Sequence, residues 1–123
     1  MSYRILIADD SNDSRQALAA LLGAAGFVVE QAKDGSDALK RLMEMRYDLS
    51  LLDMHMPSLT GIEVITQIRN CGRHIPSILM TGHPSRAIEA AALEAGALAL
   101  LRKPIPAEIL RITVQRIVCD TKN

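Results

Sequence analysis

Ile5-Leu6-Ile7-Ala8-Asp9-Asp10 is an apolar run of strand length that ends in two aspartates. Because its apolar residues are consecutive and do not alternate with polar ones, the run is typical of a strand that is covered on both faces. Four further apolar runs predict four more strands, at residues 27–29, 49–52, 78–80 and 98–101. The sequence therefore predicts a sheet of five buried strands.

Segments with helical periodicity separate these runs. In the first of them, Leu18, Leu21, Leu22 and Ala25 share one helical face, and four more segments follow the same pattern. Glycines mark the junctions between elements: Gly26, Gly35, Gly61, Gly72 and Gly96. Strands that alternate with helices through short connections predict an α/β domain with a parallel sheet and helices on both faces. We expect residues 1–123 to form one such domain.

The composition limits the functions that this chain can have. Hydrophobic residues make up 49% of its 123 residues, enough for a folded core, and aromatic residues only 2%. Fourteen basic residues balance fourteen acidic ones, so the charge does not favour direct binding to nucleic acid. Cys71 and Cys119 lack the spacing of a metal site or a disulfide scaffold, and no apolar run is long enough to span a membrane. We expect a cytoplasmic protein with reduced thiols.

Polar and charged residues stand where the predicted strands end. Asp9 and Asp10 follow the first strand, Asp53 the third, Thr81 the fourth and Lys103 the fifth. Ligands of open parallel α/β sheets bind beyond the carboxyl ends of the strands. Each of these residues alone is ordinary at a strand end or before a helix. Together they predict that three carboxylates, one hydroxyl and one ammonium group meet at a single edge of the sheet.

Such a cluster of carboxylates restricts the chemistry of the site. Two like charges about 4 Å apart repel by roughly 4 kcal/mol at an effective dielectric constant near 20, so the cluster requires a cation. Oxygen ligands favour Mg²⁺, which is commonly held between carboxylates and a phosphate group. An aspartate in such a site is able to act as a nucleophile and form an acyl phosphate, because the metal and a lysine neutralise the phosphoryl oxygens. The hydroxyl of Thr81 is suited to bind one of those oxygens.

Four residues near the third and fourth predicted strands are interpreted as structural. Ser50 is a polar residue inside that strand, and we expect its hydroxyl to bond a neighbouring main-chain group. We expect Met54 and Met56 to contribute packing, and His74 to be a solvated loop residue.

Five segments of the sequence resemble the receiver domain of two-component response regulators, in the same order and at the same spacing. They are residues 5–10, 26–39, 47–61, 75–82 and 96–104, and the resemblance covers essentially the whole chain. It implies a doubly wound (βα)5 flavodoxin-like fold, a three-layer sandwich whose parallel five-stranded sheet has the order 2-1-3-4-5, as in a chemotaxis receiver.

The resemblance also implies a role for each residue of the acidic edge. Asp53 corresponds to the phosphorylated aspartate. Asp10 corresponds to a direct Mg²⁺ ligand and Asp9 to a ligand that acts mostly through water. The main-chain carbonyl of His55 completes the protein ligands of the metal.

Two further positions carry over from the family. Thr81 corresponds to the switch hydroxyl and Lys103 to the phosphate-binding lysine, and the Lys103–Pro104 peptide bond is expected to be cis. The chain departs from the family pattern at Leu100, where receivers usually have Tyr or Phe. Coupling between the site and the surface then runs through Thr81, through backbone movement or through repacking of Leu100.

Two surface features leave alternatives open. Leu98 and Leu100 indicate either ordinary exposure or an apolar face for a homodimer or another partner. His55 and His83 stand two residues after Asp53 and Thr81, so we expect their side chains to line the pocket entrance and tune the phosphoryl lifetime. A transition-metal site at these histidines is the less favoured alternative.

The resemblance implies a signalling domain that receives phosphate from a histidine kinase or a histidine phosphotransferase. Phosphorylation would change the surface presented to an output domain or a downstream protein. The chain would catalyse its own phosphorylation and dephosphorylation without being a metabolic enzyme. Two alternatives are a phosphorylation-independent interaction scaffold and a Mg²⁺-dependent aspartyl-phosphate phosphatase. The phosphatase is disfavoured because 123 residues leave no room for a cap domain.

Overall fold

A parallel five-stranded sheet forms the centre of the fold in the computed structural model, which describes residues 2–122. The ends of the predicted domain, Met1 and Asn123, lie outside the described residues. The strands are β1 (Arg4–Ala8), β2 (Val28–Ala32), β3 (Leu49–Asp53), β4 (Ser77–Thr81) and β5 (Ala99–Arg102). Their order in the sheet is β2-β1-β3-β4-β5. The predicted fold class and strand order are therefore confirmed.

Helices follow the strands in strict alternation. They are α1 (Asn12–Ala24), α2 (Gly35–Glu44), α3 (Gly61–Asn70), α4 (Arg86–Ala95) and α5 (Ala107–Lys122). Polar side chains start four of them: Ser11, Asp34, Thr60 and Ser85 each accept a bond from a main-chain N–H in the first turn. Because these helices begin at the carboxyl edge of the sheet, the loops that hold the candidate site are short and anchored.

Two hydrophobic layers cover the sheet, one on each face. Leu6, Leu52 and Leu79 point to the face that α2, α3 and α4 cover. Their neighbours in sequence, such as Ile7 and Leu51, point to the opposite face, which α1 and α5 cover. Consecutive strand residues face opposite sides of a sheet, so burial on both faces requires uninterrupted apolar runs. This is the physical reason why the runs in the sequence identified the strands.

The predicted strand boundaries lie within one residue of the observed ones, except at the end of β2. β2 extends to Ala32 instead of ending at residue 29, because Glu30 and Gln31 on this edge strand have polar partners. Glu30 accepts from the hydroxyl of Tyr47, and Gln31 accepts from the guanidinium of Arg15. β5 begins one residue later than predicted, at Ala99.

Ser50 has a partner of a different kind from the one expected. Its hydroxyl lies 2.6 Å from the hydroxyl of Ser77, its register partner on β4. Ser77 donates its own hydrogen to the carbonyl of Ile75, so Ser50 is the donor between the two hydroxyls. The expectation of a main-chain partner was therefore wrong, because the adjacent strand offers a serine at the same level.

The predictions for three single side chains are confirmed. Met54 and Met56 are buried, and His74 is exposed. Cys71 and Cys119 are both exposed and free. Among the described residues, no helix combines the length and the apolar character that crossing a membrane requires.

Gly61 begins α3 at a point where the helix meets β3 closely. A Cβ atom at this position would lie 2.7 Å from the carbonyl oxygen of Asp53 and 2.7 Å from Cδ2 of Leu79. Its amide also donates to the carbonyl of Met54. Gly23, near the end of α1, has nothing within 4 Å of the equivalent position.

We predict opposite effects of alanine at these two glycines. Gly61→Ala should lower the free energy of unfolding by about 1–3 kcal/mol, because overpacking displaces main chain and core. Gly23→Ala should raise it by about 0.5–1 kcal/mol, because alanine costs less conformational entropy in a helix. Urea denaturation followed by circular dichroism measures both, and equal stabilities for the two variants would contradict the close contact at Gly61.

Candidate functional site

Three carboxylates lie together at the carboxyl edge of the sheet. One side-chain oxygen from each of Asp9, Asp10 and Asp53 lies within 4.8 Å of the other two. β1 and β3 are parallel neighbours in which Ala8 is level with Leu52, so the residues that follow these two stand side by side. The strand register therefore accounts for the proximity of Asp9 and Asp53.

Asp9 is fully buried, and three donors bind its carboxylate. Oδ1 accepts from the main-chain N–H of Ser11 at 2.9 Å, while Oδ2 accepts from Ser14 Oγ at 2.9 Å and from Lys103 Nζ at 2.7 Å. Burial raises the pKa of Asp9, but these hydrogen bonds and the charge of Lys103 outweigh it, so the pKa lies below its ordinary value. Asp9 is therefore held as a carboxylate.

Asp53, the last residue of β3, is also buried but is bound less completely. Its Oδ1 accepts from the main-chain N–H of His55 at 3.2 Å, and its Oδ2 accepts from Lys103 Nζ at 3.1 Å. Burial raises the pKa of Asp53 above its ordinary value, and the bonds from His55 and Lys103 offset this only in part. The charge of Asp9 adds to the rise.

Lys103 bridges the carboxylates at the ends of β1 and β3. Its ammonium group binds Asp9 and Asp53 at the same time. Burial lowers the pKa of Lys103, but the two carboxylates raise it by a larger amount. The pKa therefore lies above its ordinary value, and the group stays charged. The main-chain N–H of Lys103 donates to the carbonyl of Thr81, and the Lys103–Pro104 peptide bond is cis, as predicted.

Thr81 ends β4 and is fully buried. Its Oγ1 accepts a hydrogen bond of 3.1 Å from the main-chain N–H of His83. The hydroxyl is the acceptor in this bond, so its own hydrogen remains able to donate to an oxygen of a ligand. Thr81 thus joins the same edge of the sheet as the three carboxylates and Lys103.

The two histidines beside the site have exposed side chains. His55 and His83 contribute main-chain N–H groups, to Asp53 and Thr81 respectively. Within the described part of the chain, the acidic cluster contains no histidine or cysteine. The chemistry of the cluster is therefore that of oxygen ligands, which disfavours a transition metal.

The donor set fits a hard divalent cation. Lys103 neutralises only part of the charge of three carboxylates, and the remaining charge favours a cation at the open side of the cluster. Asp9 has both oxygens engaged by hydrogen-bond donors. The Asp10 carboxylate is exposed and accepts no hydrogen bond from the side chains of residues 2–119 or from the described main chain, so it is the carboxylate best able to contact a metal directly.

Two residues of the site were missed from the sequence. Ser14 Oγ donates to the carboxylate of Asp9, and Arg15 Nη1 donates to the main-chain carbonyl of Asp9 at 2.8 Å. Both lie in the first turns of α1. The signal that would have found them is their position: a helix that starts directly after a strand-end carboxylate turns its first side chains back toward it.

Leu98, directly before β5, and Leu100, within β5, differ in exposure. Leu98 is 55% exposed, whereas Leu100 is partly buried against the core layer that α2, α3 and α4 cover. Leu93 on α4 is 77% exposed, and Ile109 on α5 is 50% exposed. Of the two leucines singled out in the sequence, only Leu98 presents most of its side chain to solvent.

We predict that amides at Asp9 and Asp53 change stability in opposite directions in metal-free buffer at pH 7. Asp9→Asn should destabilise by about 3 kcal/mol, because it removes one partner of a buried ion pair. The lowered pKa of Asp9 means that its charge stabilises the fold above the ordinary aspartate pKa and that this stabilisation is lost as pH falls through the lowered value. Asp53→Asn should raise the melting temperature, because the raised pKa of Asp53 shows that its charge is unfavourable in the folded chain.

Thermal unfolding in the presence of a chelator measures both changes. Two variants that are destabilised to the same extent would contradict the different environments of the two carboxylates.

The chain is similar to known proteins in its sequence and in its structure. Residues 5–115 match the family model described as response regulator receiver domain. The response regulator MprA of Mycobacterium ulcerans (strain Agy99) is 38% identical over 122 residues, which are 99% of this chain and 53% of that protein. The chain therefore spans about half the length of this curated relative.

Two solved structures match over nearly their whole length. The chemotaxis protein CheY4 of Vibrio cholerae has a TM-score of 0.89 at 32% identity, with 95% of this chain and 99% of that chain covered. The BeF3-activated receiver domain of DrrB has a TM-score of 0.87 at 26% identity, with 96% and 98% covered.

Proposed function

This chain belongs to the response regulator receiver domain family, and from that premise we propose that Asp53 accepts a phosphoryl group in a Mg²⁺-dependent reaction. One observation carries the proposal: Lys103 Nζ binds Asp9 and Asp53 together, beside the exposed carboxylate of Asp10. The site thus combines a nucleophile, a fixed cation and a place for a metal. Phosphorylation would switch the surface that the domain presents to a partner or an output domain.

The reaction is a phosphoryl transfer to a carboxylate. One oxygen of Asp53 forms a bond to phosphorus as the bond from phosphorus to the donor nitrogen of a phosphohistidine breaks, and the histidine leaves with that electron pair. Lys103 is positioned to neutralise the phosphoryl oxygens, and bound Mg²⁺, held by Asp10, by Asp53, by Asp9 through water and by the His55 carbonyl, would supply the remaining positive charge. The donor is a histidine kinase or a histidine phosphotransferase.

The product would change the balance of charge at the edge of the sheet. An acyl phosphate adds about 1.5–2 negative charges next to Lys103, so that lysine would turn from Asp9 and Asp53 toward the phosphoryl oxygens. The hydroxyl of Thr81 would donate to one of those oxygens. Because Thr81 now accepts from the N–H of His83, its movement would disturb the loop that leads to α4.

We assign this chain to signalling in the cytoplasm and not to metabolic turnover. Its partners would be the phosphodonor protein and either an output domain or a downstream protein. The relative MprA is called a response regulator and is about twice as long as this chain. Any output domain is therefore proposed from this likeness. A phosphorylation-independent scaffold is a second candidate, because Leu100 replaces the aromatic residue that receivers usually have.

We predict that acetyl phosphate with Mg²⁺ adds one phosphoryl group to the chain, as measured by intact mass. Asp53→Asn should abolish the addition, and removal of Mg²⁺ should slow it by orders of magnitude. Asp13→Asn is the matched control, because Asp13 is an exposed aspartate in the first turn of α1 and should leave the rate unchanged.

The same assay separates the alternatives. No addition to the wild-type chain would favour the scaffold and overturn the proposal. Sustained hydrolysis of unrelated phosphoesters would favour the aspartyl-phosphate phosphatase.

We further propose a homodimer through the face that contains Leu98 and Leu100, in which Leu98 contributes most of the apolar contact because it is 55% exposed. Light scattering should show association when the phosphoryl mimic beryllofluoride is added with Mg²⁺. Leu98→Lys should prevent it by placing a charge in the contact. A wild-type monomer both with and without the mimic would exclude the dimer.

A further inference from the structure

Arg15 on α1 connects three parts of the fold beside the cluster of Asp9, Asp10 and Asp53. Its Nε donates to Gln31 Oε1 on β2 at 2.9 Å, and its Nη2 donates to Asn12 Oδ1 at 2.7 Å. Its Nη1 donates to the main-chain carbonyl of Asp9 at 2.8 Å. The guanidinium is thus held by a helix and a strand while it binds the loop between β1 and α1.

The bond to the Asp9 carbonyl fixes the peptide plane between Asp9 and Asp10. The two aspartates depend on this plane to different degrees. Three donors hold the side chain of Asp9 in place independently of Arg15. The Asp10 carboxylate accepts no hydrogen bond from the side chains of residues 2–119 or from the described main chain, so no bond of its own holds it in place when the main chain that carries it moves. Any rotation of the peptide plane would therefore move Asp10 more than Asp9.

We propose that Arg15 is a positioning residue that aims the Asp10 carboxylate at the divalent cation. The inference rests on the proposed function, because it assumes that the acidic cluster binds Mg²⁺. Arg15 contacts no metal ligand oxygen of a side chain and acts only through the Asp9–Asp10 peptide. Residues that orient metal ligands in this way commonly change metal affinity by 10- to 100-fold when they are replaced.

The geometry of the side chain, and not its charge, makes arginine suitable for this role. Three of its N–H groups point in different directions from one rigid plane and reach three acceptors at once. Lysine keeps the positive charge but cannot reproduce the fork. Charge alone would act in the opposite sense, because a cation near the acidic cluster repels Mg²⁺.

Isothermal titration of Mg²⁺ into the full chain tests the proposal with two variants. Arg15→Lys keeps the charge and loses the fork, whereas Arg15→Met loses both. Arg15→Lys should weaken Mg²⁺ binding by about tenfold, and Arg15→Met should weaken it by less, because the loss of the repelling charge partly offsets the loss of the fork. The matched control is Arg69→Lys, because Arg69 Nη1 donates to the main-chain carbonyl of Ala95 at 2.6 Å, at the opposite edge of the sheet. This control should leave the affinity for Mg²⁺ unchanged.

A thermodynamic cycle with Asp10→Asn tests the route of the effect. If Arg15 acts through Asp10, Arg15→Lys should change Mg²⁺ affinity much less in the Asp10→Asn background than in the wild-type chain. An equal change in both backgrounds would overturn the route through Asp10.

The remaining outcomes are also decisive. Tighter binding by Arg15→Met with unchanged binding by Arg15→Lys would show a purely electrostatic effect and overturn the positioning role. An equal loss in Arg69→Lys would show that the effect is general instability, and unchanged affinity in both Arg15 variants would overturn the proposal outright. A wild-type chain that binds no Mg²⁺ would overturn the proposed function together with this inference.

Discussion

The repulsion between carboxylates at the ends of β1 and β3 is the constraint on which the candidate site depends. The parallel register places Asp9 beside Asp53, and burial raises the energy of two adjacent negative charges. Lys103, which directly follows β5, relieves this repulsion from a position two strands beyond β3 in the sheet. The site therefore exists only when the whole sheet is assembled, and its charge balance joins residues 50 and 94 positions apart.

This balance also explains why the two buried aspartates are suited to different roles. Asp9 has three donors and a lowered pKa, so it is a firmly held anion whose oxygens are occupied. Asp53 has two longer bonds and a raised pKa, so its charge is less well compensated in the folded chain. A carboxylate of the second kind would be stabilised more by a bound cation, because the cation brings positive charge that its present partners supply only in part. The choice of Asp53 as the acceptor thus agrees with its local electrostatics as well as with its place in the family.

Sequence reasoning located most of the fold and the charged part of the site, and its failures have physical causes. Buried parallel strands are recognisable because both faces must be apolar, and their ends then indicate which residues share an edge. The length of β2 was underestimated, because an edge strand tolerates Glu30 and Gln31 when side chains such as Tyr47 and Arg15 bind them. Ser14 and Arg15 were missed because polar residues at a helix start are common, and only coordinates show that they bind Asp9. The partner of Ser50 depends on the register between β3 and β4, which a single sequence does not contain.

Under the proposed function, Leu100 in place of the usual aromatic residue favours a readout through the main chain after Thr81. Leu100 is partly buried in the same core layer as Ile88 of α4. Its side chain has no polar group that could form a hydrogen bond at a second position. The bond from the His83 N–H to Thr81 Oγ1 is, in contrast, a direct link between the site and the loop before α4. That loop ends at Ser85, whose side chain accepts from the Ile88 N–H and starts the helix. If Thr81 turns toward a phosphoryl oxygen far enough to break this bond, the His83 N–H loses its acceptor, and a main-chain group near the surface must find water or move. The cost of that lost bond, about 1 kcal/mol, is enough to shift a two-state loop several-fold without any ring that changes position.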